Sequence, residues 1–521
     1  MTRRFGVRRL LSAIGLFCCL IAISFPPQQS LGAVPPTAAP REKPAGEKPP
    51  GDNPAADKPV GDKPAGEKAA KDKRPGDKRP GDKPAPPKPQ KDEEYYELFK
   101  LFADTFDQVE RNYVKEVDRR RLVDAAIRGM IAELDPYSDY VPPAQLARFK
   151  AGVETEFGGI GIQVGVDNGH LRVLSPLLGT PAYRHGILAG DVILEIDGRS
   201  TTGITIDEAV RRLQGKEGTE VTLTIVHADS TKRESVKLRR EVIRVETVLG
   251  DSRKADNSWK WMYDDERRIG YVRLTGFGKR TAAALRSALE ELTQQKMRGL
   301  VLDLRFNPGG LLSSAIEVSD LFVAKGRIVS TEGRNTPSRV WEAHEKGTFS
   351  GFAMAVLVNR YSASASEIVA ACLQDHHRAV VVGERTWGKG SVQNVVELEN
   401  GNSALKLTTA GYRRPNGKNI HRFKESTEKD DWGVSPDEGC AVKLSPAEMQ
   451  QWVANRREKD VVRTKPDPKA KEPRPSASAV DPQLQKALDC LHKQLDSQKP
   501  PADKPPADKP PADKPPAKAG G

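Results

Sequence analysis

Between residues 268 and 412 continuous apolar runs alternate with helical patterns, and this alternation restricts the fold more than any other feature of the chain. Ile269–Leu274 reads as a strand, 282–295 as a helix, 300–304 as a strand and 311–322 as a helix. The series continues with a strand at 354–358, a helix at 366–373, a strand at 379–382, and strands near 392–398 and 404–409. A run such as Met354-Ala-Val-Leu-Val has no polar face to offer water, so its sheet must be buried under helices. The pattern predicts an α/β layer around a buried sheet.

Much of the remaining length cannot join such a core. Of 521 residues, 34–92 are built from loose repeats such as Gly61-Asp-Lys-Pro, and 498–517 repeat Pro-Ala-Asp-Lys-Pro. Neither tract has the apolar side chains that would offset the entropy of ordering, so the linker 34–92 and the tail 498–521 read as disordered. At ~3.1 Å per residue the linker reaches on the order of 180 Å. That leaves 93–445 for folding, with 446–497 poorly defined beyond a short helix near 484–495. The formal charge of +12 belongs to solvated linkers with a basic excess; no arginine-rich helix with interleaved aromatics points to nucleic acid.

Before the linker, Arg3, Arg4, Arg8 and Arg9 precede the apolar run 10–25, and Gly32-Ala33 offers a cleavage site. Residues 1–33 therefore read as an export signal, shorter than the ~20 apolar residues of a spanning helix, with an uncleaved anchor as the lesser alternative. The expected location is the periplasm or cell envelope, with secretion or membrane anchoring as variants. Cleavage leaves Cys372, Cys440 and Cys490, an odd and widely spaced set that makes no disulfide framework.

Residues 93–150 read as a helical region: Leu98, Phe102, Phe106 and Val109 recur at helical spacing, as do Leu122, Ala126 and Met130, until Leu134-Asp-Pro-Tyr-Ser breaks the pattern. Beyond 155 the chain changes to short β-branched runs bounded by glycine. In Phe157-Gly-Gly-Ile-Gly-Ile-Gln-Val, paired glycines precede an alternating strand. Glycines let successive N–H groups converge on an anion, and the strand edge beyond can pair with an extended peptide. Gly158, Gly159, Ile160, Gly161 and Ile162 are thus candidates for holding a peptide's C-terminal carboxylate and its last residues. A double glycine alone makes only a bulge, but Gly186-Ile-Leu-Ala-Gly-Asp-Val-Ile-Leu-Glu-Ile-Asp-Gly follows at the right distance, then a helix over 206–213 and a strand over 221–226. This run resembles a PDZ domain, assigned to 151–242.

Candidate chemistry lies further on, in Tyr361-Ser-Ala-Ser-Ala-Ser-Glu. Ser364 falls where a buried strand turns into a helix, and backbone N–H groups left unpaired there can stabilise an oxyanion. Helix capping needs only one of these serines, a part that suits Ser366 with Glu367 in the first turn. An alkoxide also needs a base. His376 lies 12 residues along the helix, about 18 Å away at 1.5 Å per residue, and His344 and His421 are far off in sequence with no local pattern. Lys389, between Gly388 and Gly390, is the better base, because burial disfavours the ammonium and leaves a neutral amine near neutral pH. The strand that follows sends Ser391 and Gln393 to one face, where Gln393 can orient the amine. Gly383-Glu-Arg-Thr-Trp-Gly-Lys also opens like a phosphate-binding loop, but Gly390 stands where Ser or Thr must hold magnesium and a strand follows in place of a helix. Nucleotide binding is rejected. A second set of free N–H groups is expected in Asp303-Leu-Arg-Phe-Asn-Pro-Gly-Gly, a glycine loop leading into a helix, which is otherwise a tight βα connection.

Taken in order, these segments closely resemble the carboxyl-terminal processing peptidases, or tail-specific proteases, over roughly 95–440. The match runs from Leu134-Asp-Pro-Tyr-Ser through the motifs above to Gly433-Val-Ser-Pro-Asp. The resemblance implies a serine endopeptidase that needs no cofactor and no metal, with Ser364 as nucleophile, Lys389 as base and Gln393 as its orienting partner. It implies an oxyanion hole from the amide of Ala365 and that of Gly309 or Gly310. Asp375 matches an additional aspartate of some members, at an awkward distance along the helix. The implied fold is α/β, with a crotonase-like (ClpP/crotonase type) catalytic core over 243–445, an inserted PDZ domain, and helices at 93–150 that cap or dimerise. The implied partners are protein substrates with exposed, apolar C-termini and an activator or adaptor protein; a homo-oligomer stays open. Tyr361 replaces a frequent small residue, which would narrow the pocket, and 421–431 is longer than usual, which would alter a surface loop. Two rivals remain. A PDZ adaptor on a silent protease scaffold would not need Ser364, Lys389 and Gln393 together, and a coenzyme A-dependent crotonase-type enzyme would not explain the PDZ run or the export signal.

Overall fold

The computed structural model describes residues 90–154, 156–228, 230–462 and 480–497. The export signal, the linker up to residue 89 and the tail 498–521 lie outside the described residues. Two compact units divide the chain at Val123. The first holds α1 (Gln90–Asn112) and the start of α2 (Arg119–Ala132). The predicted apolar stripe of α1 forms on a helix, yet Leu98 and Phe102 remain 59% and 50% exposed.

The second unit begins at Asp124. After α2 come a short strand, Asp139–Val141, and α3 (Pro143–Glu154). The glycine-bounded region then builds an antiparallel sheet in the order Ile162–Asp167, His170–Pro176, Val192–Ile196, Glu220–Val226, Arg233–Arg239. A single turn, α4 (Pro181–Arg184), and α5 (Ile206–Leu213) accompany it. The side chains of Leu171, Ile193, Leu223, Ile225 and Leu238 alternate inward onto Ala209 and Leu213 of α5. Ile162–Asp167 ends the sheet, so among the described residues one of its edges has no strand partner, and α5 packs beside this strand.

A second sheet carries the core, in the order Val248–Leu249, Ile269–Leu274, Gly299–Asp303, Ala353–Val358, Val380–Gly383. Period-2 geometry sorts its residues. Val272, Leu274, Leu300, Leu302, Met354, Val356 and Val358 face α6 (Thr281–Gln294), α7 (Leu312–Asp320) and α8 (Ala365–Asp375). Ile269, Tyr271, Val301, Ala353, Ala355 and Leu357 face the other way, onto α10 (Pro482–Ser497), which follows α9 (Pro446–Asp460). Covered on both faces, these strands can be apolar throughout.

The expected crotonase-like core is corrected here. The fold is α/β with mixed sheets: the last four strands run parallel, but Val248–Leu249 and Met262–Asp264 both pair antiparallel with Ile269–Leu274. A separate antiparallel sheet joins Asp139–Val141, Ser403–Arg413, Gly326–Glu332 and Arg339–Ala343, with Ser391–Leu398 also paired to Ser403–Arg413. Strand direction and two- or three-residue partners leave no periodic signal, so alternation of apolar runs could not reveal them.

Within the segment after 445, the described residues include a helix, α9, that was not expected. Ser445 accepts the Glu448 amide at 3.3 Å while Glu448 reaches back to the Ser445 amide at 2.7 Å, with Pro446 at the first helical position. This is a capping box that Ser-Pro-Ala-Glu advertised in the sequence. At the start of α10, Asp481 accepts from both Arg305 terminal nitrogens at 2.9 and 3.0 Å and from Trp452 Nε1 at 3.0 Å. Arg305, 2% exposed, is shared with the wholly buried Asp303. Replacing Asp481 with alanine should therefore lower stability by about 3 kcal/mol in urea unfolding, since it half-unpairs a buried guanidinium. Among the described residues no helix is long and apolar enough to cross a membrane.

Candidate active site

The buried strand Ala353–Val358 ends in a turn, and Ser364 sits at the N-cap of α8 with φ 56° and ψ −115°. This positive φ is unusual for a residue with a Cβ, and such strain concentrates at functional sites. The neighbouring serines are committed elsewhere: Ser362 donates to the Leu304 carbonyl at 2.8 Å and Ser366 to that of Asn307 at 2.9 Å. The expected capping role of Ser366 is thus corrected; Ser364 holds that position, and Glu367 reaches back to its amide at 2.8 Å.

The glycine loop comes up against this turn. A Cβ built on Gly309 would stand 2.8 Å from Ser364 Cβ and 2.9 Å from the Ala365 amide nitrogen, so only glycine permits the approach. Gly309 donates its own amide to Asn307 Oδ1 at 2.9 Å. The amides of Gly310 and Ala365 have no acceptor among the described residues.

Lys389 lies on the loop leaving the strand Val380–Gly383, and its backbone is clamped to that of Ser364 twice. The wholly buried Glu367 accepts the amides of Ser364, Lys389 and Gly388 at 2.8, 2.8 and 2.7 Å, and the Thr386 hydroxyl at 2.5 Å. Burial pushes the Glu367 carboxyl above its ordinary pKa, partly offset by these four donors. On the other side the buried Tyr412 hydroxyl lies 2.6 Å from the Lys389 carbonyl and 3.1 Å from that of Ser364. Burial, helped by the nearby cation of Lys406, lowers the Lys389 pKa to about 8. Its Nζ rests over the Tyr137 ring, 5.2 Å from the centroid, with no hydrogen bond to Ser364 among the described residues. Gln393 Nε2 donates to Ser391 Oγ at 2.9 Å and Thr408 Oγ1 at 3.2 Å, which puts Gln393 and Ser391 on one face as their spacing requires.

The structure does not bring Asp375 to this group. It closes the far end of α8, where Arg414 pairs with it at 2.6 Å and Asn416 donates to it at 3.0 Å, beside a surface pocket lined by Gln374, His377 and Pro415. Tyr361 stacks on Phe306, which stacks on Trp452 of α9, so the ring is engaged in packing. In the binding module, Gly158 and Gly159 pair with Val242 and Glu241. Ile160 is buried, and Gly161 adopts φ 77° against Thr180. The amides of Ile160 and Gly161 have no acceptor among the described residues, and Ile162 opens the edge strand.

Four neighbours of the pair escaped sequence reasoning: Glu367 as a clamp, Tyr412, Tyr137 and His421. Glu367 was visible only as a helix-capping partner, and Tyr137 only as part of Asp-Pro-Tyr-Ser. That motif folds because Asp135 accepts the amides of Tyr137 and Ser138 at 2.7 and 2.8 Å. His421 accepts the Gly390 amide through Nδ1 at 3.2 Å and meets Tyr137 edge-on; burial lowers its pKa, which suits a neutral acceptor. Nothing local marks Tyr412 or His421, because only chain folding brings them here.

The model of peptidase family S41 matches residues 268–438, that of a PDZ domain 172–226, and that of the activating protease CtpB N-terminal domain 66–143. A carboxy-terminal-processing protease of Bartonella bacilliformis is 38% identical over 382 residues, 70% of this chain and 82% of that protein. The carboxy-terminal processing protease CtpA of Bacillus subtilis is 37% identical over 319 residues, 61% of this chain and 65% of its own length. Among solved structures, the photosystem II D1 C-terminal processing protease shares 30% identity over 67% of this chain and 93% of that one, with a TM-score of 0.37. The class is that of exported serine endopeptidases that work with a serine–lysine pair and a PDZ module. Within it, the chain belongs to peptidase family S41, with the carboxy-terminal-processing proteases. Its PDZ domain is the module for substrate recognition.

Proposed function

We propose that Ser364 is the nucleophile and Lys389 its general base. The neutral amine takes the proton from Ser364 Oγ, which attacks the scissile carbonyl carbon. The amides of Ala365 and Gly310 receive the oxyanion; Gly310 is preferred to Gly309, whose amide is already given to Asn307. The resulting ammonium returns its proton to the leaving amine, and water releases the acyl-enzyme by the reverse sequence. Gln393, with its amide nitrogen engaged, offers its carbonyl oxygen to a lysine N–H. Nζ must turn from the Tyr137 ring toward Ser364 for the first transfer. The observation that carries this reading is a half-buried lysine, its pKa lowered to about 8, on a loop clamped, backbone to backbone, to a strained serine.

Substrates enter as an added strand along the free edge of Ile162–Asp167, with the terminal carboxylate on the amides of Ile160 and Gly161. Ile162, Val164 and Ile204 offer an apolar lining, so apolar tails are preferred. The enzyme works in the periplasm or cell envelope, and an activator or adaptor protein assists the turn of Lys389. The test uses the full chain, an unstructured protein ending in either an apolar or a doubly acidic tail, and a fluorophosphonate label. Faster cleavage of the apolar tail, with the label mapped to Ser364, is expected. Tight tail binding with neither cleavage nor labelling would favour a silent adaptor.

A further inference from the structure

Cys440 and Cys490 stand far apart in sequence, yet their sulfurs lie 3.5 Å apart. Cys440 belongs to the segment paired with the end of the strand Val380–Gly383: its carbonyl accepts the Gly383 amide at 3.1 Å, and Val442 donates to the Gly383 carbonyl at 2.8 Å. Cys490 lies on α10, whose Leu484, Ala487, Leu488, Leu491 and Leu495 are buried against the sheet. Packing and the Asp481–Arg305 pair hold this helix in place.

We propose that Cys440 and Cys490 close into a disulfide that staples α10 to the strand end from which the lysine loop departs. A sulfur–sulfur bond of about 2.05 Å requires the two thiols to approach from van der Waals contact, a change that side-chain torsions supply. An exported chain meets oxidising conditions in which such bonds persist. The oxidant is a disulfide donor. Cys490, the more exposed of the two, attacks it as the thiolate to give a mixed disulfide and release one donor thiol. The Cys440 thiolate then attacks Cys490 Sγ and expels the second donor thiol. Two protein thiols are oxidised and one donor disulfide becomes two thiols. Burial and the neighbouring sulfur push the Cys440 thiol up to about 11, so the closing step is the slow one near neutral pH. Cys372, buried in α8 and pushed up to about 12, stays a thiol throughout. The odd set of three thus resolves into one pair and one inert single.

The test treats the full chain with oxidised glutathione and maps tryptic peptides without reduction. Peptides 430–443 and 487–493 are expected as one linked species, lighter by two hydrogens than their sum. Reduction is expected to lower Tm by about 4 °C, and to leave Tm unchanged in the Cys440→Ser/Cys490→Ser variant. This arm supplies its own oxidant, so it decides the pairing whatever compartment the protein occupies. Free alkylation of both thiols after treatment, or a glutathione adduct on Cys490 without the linked peptide, overturns the pairing. A linked species with no change in Tm overturns the staple.

Discussion

Lys389→Ala is expected to lower kcat on the order of 10³-fold on an apolar-tailed substrate while tail binding survives. The wild-type rate should rise with pH and reach half its plateau near pH 8, because the base acts only when neutral and its pKa is about 8. At pH 7 about a tenth of the molecules would carry the amine. A flat profile between pH 6 and 9, or near-normal turnover by the alanine variant, would remove Lys389 from the mechanism. Stability should move the opposite way. The folded-state pKa lies below the unfolded value of 10.5, so the unfolded chain binds the extra proton between pH 8 and 10.5, and stability rises with pH across that window. Lys389→Met, which keeps the volume without the charge, should therefore melt higher than wild type at pH 7. The difference should shrink as the pH rises toward 10.5.

Glu367→Ala is expected to destabilise the fold by about 4 kcal/mol, because it strands one buried and two part-buried amides and a buried hydroxyl. Glu367→Gln separates positioning from packing. Thr386 accepts the Val434 amide, so its own proton points to Glu367, and every partner of this carboxylate is a donor. A glutamine must turn its NH₂ toward two of those donors whichever way its amide lies. The variant should fold with a loss of about 2 kcal/mol and lose kcat well beyond any change in KM. It should keep the alkaline rise in rate, since Lys389 is still the base. Unchanged kcat in a folded Glu367→Gln protein would reduce the clamp to a structural role.

The local steps of the fold were legible from residue order. Strand Ile269–Leu274 and helix Ile206–Leu213 stand where their patterns put them, because period 2 and period 3.6 act within a single segment. So was Ser364 at a strand-to-helix turn, since that short motif demands one; the close approach of the glycine loop to it came only with the tertiary fold. The α9 capping box was present in Ser445 to Glu448 but lay in a stretch too polar to show a periodic face. Strand direction was not legible, and the crotonase-like expectation fell on that account.

The sequence by itself determined that the core strands bury, which serine stands at a strand-to-helix turn and which lysine stands between glycines. These follow from side-chain polarity and backbone freedom within a few residues. Tertiary structure alone decided that Glu367 and Tyr412 bind the backbones of Ser364 and Lys389 together, that Tyr137 and His421 wall the lysine, and that Asp375 ends at the far side of α8. Apart from the local Glu367–Ser364 bond, these contacts join residues 22 to 252 apart, where pairing depends on how the sheets stack and no short-range pattern records it.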